Sequence, residues 1–254
     1  MKISAYVMAK NEERCIEKCL SSLSWCDEII LGDTGSTDKT IQIAKSVGAK
    51  VLQTSFEGFG ATRNKIVNTI EADWIVCFDA DEVCTEELKQ EILSNIFENN
   101  SSALIAPRKN FLIGQEVKHS GWCPDFRHPV AFRKSDCKYE EKILHETLEV
   151  KGQTKRLKSS FEHHSYPTLK SYMDKINKYS VLGAEELIRK KKKIKMASAA
   201  SHSFFKFIRH YFINLGFLDG WTGLTIAIAS AYGTFFKYSI AYEKQKKSEK
   251  MLTS

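Results

Sequence analysis

The sequence predicts an α/β fold, and three observations carry that expectation. Short apolar runs alternate with stretches of helical period through the first hundred residues, the pattern of βα units around a largely parallel sheet. Two of those runs end in acidic clusters, Glu28-Ile-Ile-Leu-Gly-Asp33-Thr-Gly-Ser-Thr-Asp38 and Asp73-Trp-Ile-Val-Cys-Phe-Asp79-Ala-Asp81-Glu82. The chain has 254 residues, 43% of them hydrophobic, enough to bury one large domain or a domain with an appendage.

Each element follows from its local pattern. Residues 2–8 read as a strand, and residues 12–23 as a helix with Ile16, Leu20 and Leu23 on one face. Residues 28–31 form the next strand. Thr37 stands as an N-cap for a helix reaching Val47, with Gly48 as its C-cap. Residues 50–53 and 74–78 read as strands, and 60–70 as the helix between them. Residues 86–97 form a helix with Leu88, Ile92, Leu93 and Ile96 on its apolar side. Beyond residue 100 the pattern changes. Residues 103–107 and 130–133 read as strands around a loop at 114–127, and 142–157 is mixed. From Leu169 onward the reading is helical, interrupted by the lysine run at 190–193. The expected division is a catalytic domain over 1–168 and a basic helical region over 169–254.

Charge is unevenly distributed. From Arg189 to the end there are 13 Lys/Arg and 3 Asp/Glu, although the net charge of the whole chain is only +7. Such a concentration points to a polyanionic partner at that end, a membrane surface or a nucleic acid. The lysine run carries no interleaved aromatic residue, so a nucleic-acid partner is not expected. Seven cysteines without a C-x-x-C pair read as structural thiols in a reducing cytosol.

The acidic clusters carry the chemistry. Open α/β sheets bind ligands at the carboxyl ends of their strands. Asp79 and Asp81, one residue apart at such an end, are placed to share a hard divalent cation with a substrate phosphate. The alternative is a solvated turn in which Asp81-Glu82 caps the next helix. Asp33 also ends a strand, where its carboxylate can accept hydrogen bonds from a base or ribose. Asn11 and Glu12 end the first strand in the same way, and Asp38 complements a helix dipole. Phe56-Glu-Gly58-Phe-Gly60-Ala-Thr-Arg63 superficially matches a dinucleotide fingerprint. Arg63 takes the place of its third glycine, and a guanidinium at that helix start better suits a pyrophosphate. The sequence has no Walker loop and no G-x-S-x-G elbow, and His145-Glu-Thr-Leu-Glu149 lacks the second histidine of a zinc motif.

Together, Met8-Ala-Lys-Asn11-Glu12-Glu13, Gly32-Asp33-Thr-Gly-Ser-Thr-Asp38, Arg63-Asn64 and Phe78-Asp79-Ala-Asp81-Glu82 resemble family 2 glycosyltransferases. More narrowly, the chain resembles bacterial lipopolysaccharide core glucosyltransferases. That resemblance rests on Gly121-Trp122-Cys-Pro124-Asp125, Phe132-Arg133, Leu144-His145-Glu146, His164-Ser-Tyr166, Lys175, Tyr179 and Gly216-Phe-Leu-Asp-Gly220. It implies a GT-A fold, Rossmann-like with a mostly parallel sheet, and a C-terminal helical extension that associates with membrane. The implied reaction is inverting, metal-dependent transfer of a hexose from a UDP-sugar, UDP-glucose in the first instance, to a lipid-linked oligosaccharide.

The resemblance also implies roles. Asp33 recognises the uracil with Asn11 nearby, and Arg63 meets the base or diphosphate. Asp79 contacts ribose and metal, Asp81 the metal. His164, or His163 in its place, adds a metal or diphosphate contact, and Lys175 neutralises the diphosphate. Glu146 is the catalytic base, and Trp122 and Asp125 bind the acceptor. Mg²⁺ or Mn²⁺ is the implied cofactor. Cys123 replaces a bulky aromatic residue expected in the Gly-Trp loop.

The 17 uncharged residues between Asp219 and Lys237 are diluted by Gly220, Gly223 and Gly233, and a spanning helix needs about 20 mostly apolar residues. Interfacial helices on an anionic membrane surface are therefore expected, with the protein cytoplasmic and peripheral to the inner face. A nucleotidyltransferase is the competing enzyme class; it would prefer a glycine-rich phosphate loop near the N-terminus.

Overall fold

The strand β1 (Ile3–Ala9) is buried at six of its seven positions, which only a strand covered on both faces achieves. The other strands, in chain order, are β2 (Glu28–Asp33), β3 (Lys50–Gln53), β4 (Trp74–Asp79), β5 (Glu82–Val83), β6 (Ala103–Ile105), β7 (Arg108–Leu112), β8 (Gln115–Val117), β9 (Pro129–Arg133), β10 (Cys137–Tyr139), β11 (Leu148–Val150), β12 (Thr154–Arg156) and β13 (Phe161–Tyr166). The helices are α1 (Ile16–Ser21), α2 (Thr40–Ser46), α3 (Phe59–Asn68), α4 (Glu86–Glu98), α5 (Leu169–Arg189), α6 (Met196–Ile208) and α7 (Gly220–Thr253). This computed structural model describes residues 1–123, 125–126, 128–141, 147–190 and 194–253, with side chains to residue 248. It comprises two units, Met1–Lys109 with Pro124–His163, and Asn110–Cys123 with His164–Ser254.

The first unit holds a seven-stranded sheet in the order β12-β6-β9-β4-β1-β2-β3. β1 pairs in parallel with β2 on one side and β4 on the other, and β3 continues in parallel from β2. β9 runs antiparallel to both β4 and β6. The chain therefore moves outward from β1 in both directions, which opens a topological switch point at the carboxyl ends of β1 and β4.

Alternation along the strands feeds two cores. Val7, Val76 and Phe78 pack with Ile16 and Leu20 of α1 and Leu88, Ile92 and Ile96 of α4. Tyr6, Ile75 and Cys77 face the opposite way, with Ile66 of α3, Phe132 and Tyr139. Each large apolar side chain so buried contributes about 1.5–3 kcal/mol. Gly32 keeps α3 close to β2: a Cβ there would lie 2.2 Å from Ile66 Cδ1. Gly32→Val is expected to destabilise the fold by about 1–3 kcal/mol through overpacking, read as a lower urea midpoint with unchanged m-value.

Several local readings are corrected. α1 begins at Ile16 because Glu12–Cys15 forms a turn, its carbonyl accepting from the Cys15 and Ile16 N–H groups. Thr37 does not cap α2; Lys39 stands at the N-cap without a side-chain bond, and Asp38 before it accepts the Thr40 N–H at 3.0 Å and the Thr40 hydroxyl at 2.5 Å. Asp81-Glu82 do not cap α4, whose N-cap is Thr85, accepting from the Leu88 N–H. The loop expected at 114–127 contains β8, paired with β7 from Asn110–Val117 to Leu112–Gln115. The two turn residues, Ile113 and Gly114, both have positive φ, as a tight hairpin turn requires. An isoleucine in that position hides the turn, because asparagine, aspartate or glycine is the usual signal.

The second unit packs this hairpin with the helices, through Leu112, Val117, Tyr172, Ile226 and Ala229. α5 opens with a Thr168/Ser171 capping box. Against it, α7 presents Gly233, whose carbonyl accepts the Ser180 hydroxyl at 3.0 Å. Among the described residues no single helix is long and apolar enough to cross a membrane. Met196–Ile213 and Gly216–Ser248 meet that measure only as a pair, bent by 70°.

Candidate active site

Asp33 ends β2 with its side chain buried. Its carboxylate accepts the Gly35 N–H at 3.1 Å and the Ser36 N–H at 3.2 Å, in a turn that holds Gly35 at φ +102°, a conformation glycine adopts without strain. Asn11 follows β1 at φ +59°, and asparagine tolerates that region better than most residues. Its N–H donates to Ser36 Oγ at 2.9 Å, and its Oδ1 accepts the Thr37 N–H at 2.7 Å. The ends of β1 and β2 are thus tied together. An open cleft of ≈ 510 Å³ lies beside them, lined by Asp33, Thr34, Gly35, Gln53, Thr54 and Ser55. Carboxylate, amide and hydroxyl groups on one wall suit the polar edge of a heterocycle or a ribose.

The end of β4 is organised around a buried guanidinium. Arg63 enters from α3 and is 7% exposed, and its Nη2 reaches Asp79 Oδ1 at 2.8 Å. Nη1 donates to the Tyr6 hydroxyl at 3.1 Å, which in turn donates to the Tyr139 hydroxyl at 2.8 Å. The guanidinium carbon lies 6.0 and 5.6 Å from the Tyr6 and Tyr139 ring centroids, within cation–π range. Burial pushes the Tyr6 hydroxyl up, out of reach of ionisation. Burial also pushes the Asp79 carboxyl up, but Arg63, with His128 and His163, outweighs it and holds the group down at about 2. The Asp79 carboxylate therefore stabilises the fold fully above its ordinary value of 3.8 and loses that contribution as pH falls toward 2. In the absence of divalent cations, wild type is expected to lose thermal stability across that window faster than Asp79→Asn, as measured by circular dichroism melts.

Behind Asp79 lies a charged cluster. Glu82 is fully buried; its Oε2 accepts the Asp79 N–H at 2.8 Å. Its Oε1 has no hydrogen-bond partner among the described residues but lies 3.6 Å from Arg108 Nη1 and 3.8 Å from His128 Nε2. Arg108 is itself held by Asp125, through Nε at 3.0 Å and a second contact from Nη2. Burial disfavours a charge on His128, but Cys77, Glu82 and Asp79 outweigh it and keep the imidazole protonated well above the usual histidine range. Asp79, Glu82 and His128 each offer a ligand atom, all within 4.8 Å of one another. Asp81 stands beside His163, whose Nε2 is 3.4 Å from Asp81 Oδ2. The carboxylate oxygens of this set suit a hard divalent cation, and His128 would join them only by giving up its proton.

The first unit thus brings Asn11 and Asp33 together, and Arg63 with Asp79; Asp81 and Asp125 belong to the same unit. Asp125 is engaged by Arg108, and Arg63 by Asp79 and Tyr6. Trp122, His164 and Lys175 belong to the second unit. There the Trp122 ring lies 5.9 Å from Tyr166 and 6.1 Å from Tyr172, Lys175 Nζ sits 4.9 Å over the Tyr166 ring, and His164 stacks on Phe111 at 4.5 Å. Glu146 lies outside the described residues. Tyr6, Tyr139, Arg108 and His128 had no role in the sequence reading, and Glu82 entered it only within the acidic cluster and as an alternative helix cap. Only Glu82, directly following Asp-Ala-Asp, carried a signal that could have drawn attention to it.

Comparison with known proteins identifies the family. The family model described as Glycosyl transferase family 2 matches residues 4–159, which include Asp33, Arg63, Asp79 and Asp81. An uncharacterized glycosyltransferase of Rickettsia prowazekii (strain Madrid E) is 25% identical over 265 residues, covering 100% of this chain and 91% of that one. The lipopolysaccharide core biosynthesis glycosyltransferase LpsC of Rhizobium meliloti (strain 1021) is 24% identical over 260 residues, covering 94% of each chain. Among solved structures, S. aureus TarS 1-349 in complex with UDP-GlcNAc aligns with a TM-score of 0.51 at 18% identity, covering 98% of this chain and 92% of that one. That last likeness is one of fold, of the GT-A type. The acidic strand ends lie inside the matched segment, and the chain belongs to glycosyltransferase family 2.

Proposed function

We propose that this enzyme transfers a hexose, glucose from UDP-glucose, with inversion, to a lipid-linked saccharide of the lipopolysaccharide or lipooligosaccharide inner core. In this reading it works at the inner face of the cytoplasmic membrane. The observation that carries the proposal is the pairing of the Asp33 cleft at β2 with the Asp79 and Asp81 carboxylates at the end of β4. The lipopolysaccharide core assignment of LpsC supports the acceptor class, and the UDP-GlcNAc complex of TarS supports a UDP-sugar donor.

The roles combine those the family resemblance implies with the geometry of the first unit. Asp33 accepts a hydrogen bond from the base, with Asn11 holding the loop that presents it. Arg63, buried against Tyr6, keeps Asp79 anionic and aimed at the sheet edge, so that it positions Asp79 rather than meeting the diphosphate itself. Mg²⁺ or Mn²⁺, held by Asp79 and Asp81 with Glu82 and either His164 or His163 as a further donor, would supply Lewis-acid stabilisation of the departing diphosphate. Lys175 adds a cation for the same charge. Glu146 takes the proton of the acceptor hydroxyl as that oxygen attacks the anomeric carbon from the face opposite the leaving group. Trp122 and Asp125 bind the acceptor saccharide.

The test is release of UDP from UDP-glucose in the presence of a lipid-linked core saccharide, with UDP-galactose and UDP-GlcNAc as competing donors. The expected result is metal-dependent release that rises with acceptor and is strongest for UDP-glucose. Equal, acceptor-independent rates with all three donors would contradict the proposal.

A further inference from the structure

The joint between α6 and α7 is built unlike a solvent-facing loop. Within ten residues it exposes Phe212, Ile213, Leu215, Phe217, Leu218 and Trp221, with Ile213 at 70% and Leu218 at 58%. Large apolar side chains exposed this close together mark an interaction site. Its backbone is nevertheless bonded internally. A single π-turn, Arg209–Ile213, runs into a short 3₁₀ turn, Gly216–Asp219. The Asn214 N–H donates to the Arg209 carbonyl, the Leu215 N–H to Phe212 and the Leu218 N–H to Leu215, at 2.8 to 3.1 Å.

The base of this knob is clamped by polar contacts with the β8 end of the hairpin. Asp219 accepts the His119 N–H at 3.0 Å and the Ser120 hydroxyl at 2.7 Å. The Ser120 N–H donates to the Asn214 carbonyl at 2.9 Å. The close approach of Gly223 to Gly216 is equally tight, since a Cβ on Gly223 would lie 1.7 Å from the Gly216 carbonyl oxygen. The knob therefore exposes apolar side chains while these backbone N–H groups and the Asp219 carboxylate bond within the protein, an arrangement that a hydrocarbon phase favours.

Charge identifies the phase. Lys206 and Arg209 lie at the end of α6, directly before the knob, and no Asp or Glu occurs between Arg189 and Asp219. Trp221 stands at the knob's rim, a residue type enriched at the boundary between headgroups and acyl chains. By length and composition the two helices meet the measure of a membrane span only together, and they are bent by 70° where they join.

We propose that residues 209–221 form a membrane wedge that inserts into the headgroup and acyl boundary of an anionic phospholipid bilayer, with Lys206 and Arg209 on the phosphate layer. The wedge deepens the proposed function and rests on it for the location of the acceptor. It holds the enzyme at the surface where a lipid-linked acceptor is presented.

The test is flotation of the full chain with phosphatidylcholine vesicles, with and without phosphatidylglycerol, for wild type, Ile213→Glu/Leu218→Glu and Lys206→Gln/Arg209→Gln. Wild type is expected to float with the anionic vesicles. The double glutamate variant should lose about 100-fold or more in vesicle affinity. The double glutamine variant should lose about fivefold per removed cation, on anionic vesicles only. Both pairs are surface residues of the second unit, so UDP-glucose affinity should stay unchanged in each.

Vesicle binding that is absent in wild type, or equal in the glutamate variant, would overturn the wedge. So would sedimentation showing a wild-type dimer that the glutamate variant dissociates while neither binds vesicles, which would make the knob a contact between copies. Transfer to a detergent-dispersed acceptor separates the two readings. If transfer persists without vesicle binding, only the wedge fails. If vesicles are bound and no lipid-linked saccharide is glycosylated, only the acceptor reading fails.

Discussion

Asp81→Ala is expected to lower kcat by about 10²–10³-fold, the cost of removing one group aimed at the charge that develops in the transition state, while leaving the melting temperature essentially unchanged. Asp81 lies in the turn between β4 and β5, with His163 Nε2 3.4 Å from its carboxylate. Asp79→Ala should be as inactive but also less stable, because the Arg63 guanidinium, 7% exposed, would lose its carboxylate partner. Breaking a fully buried pair costs about 3–5 kcal/mol. Asp79 is 41% exposed, so solvent screening reduces the expected loss to about 2 kcal/mol. Steady-state UDP release and urea unfolding on the same two variants check this contrast. If both variants were equally stable, Arg63 would not depend on Asp79.

Glu146→Gln is expected to lower kcat by about 10²–10⁴-fold, the usual contribution of a positioned general base, with little change in the affinity for UDP-glucose. Glutamine keeps the shape and hydrogen-bonding reach of the side chain but cannot take the acceptor proton. The separation of the two constants is the informative part. A drop in donor affinity as large as the drop in kcat would move Glu146 from the acceptor's proton to the donor's binding. Full activity in the variant would remove it from the chemistry altogether.

How much of this was legible beforehand follows from where the signals lie. β1, β2 and β4 are buried strands, so they appear as unbroken apolar runs, and the first polar residues after them mark the sheet edge. Asp33, Asp79 and Asp81 could therefore be placed at that edge from local pattern alone, and α3 and α4 from their period. The network behind them could not. Tyr6 sits in the middle of an apolar run and reads as core, yet its hydroxyl bonds Arg63, 57 positions away, and Tyr139, 133 positions away. Arg108, Asp125 and His128 likewise acquire meaning only when the fold brings them to Glu82.

The hairpin of β7 and β8 was hidden by Ile113 at a turn position. It groups with the C-terminal helices, although it lies in sequence among the strands of the first unit. Composition alone flagged the apolar, basic character of the C-terminal region. The projection of its apolar residues from one clamped turn depends on backbone geometry at Leu215 and Gly220, both at positive φ.

The central claim is that the carboxyl edge of β2 and β4 is a metal-assisted UDP-sugar site. It is tested most directly by calorimetric titration of UDP-glucose into wild type and Asp81→Ala, each with Mn²⁺ and with chelator, paired with thermal unfolding. Wild type is expected to bind only when Mn²⁺ is present, Asp81→Ala to lose that binding, and wild type to be stabilised by about 2.7 kcal/mol at a hundredfold excess over Kd. Binding of equal strength in both proteins, with or without the metal, would contradict it.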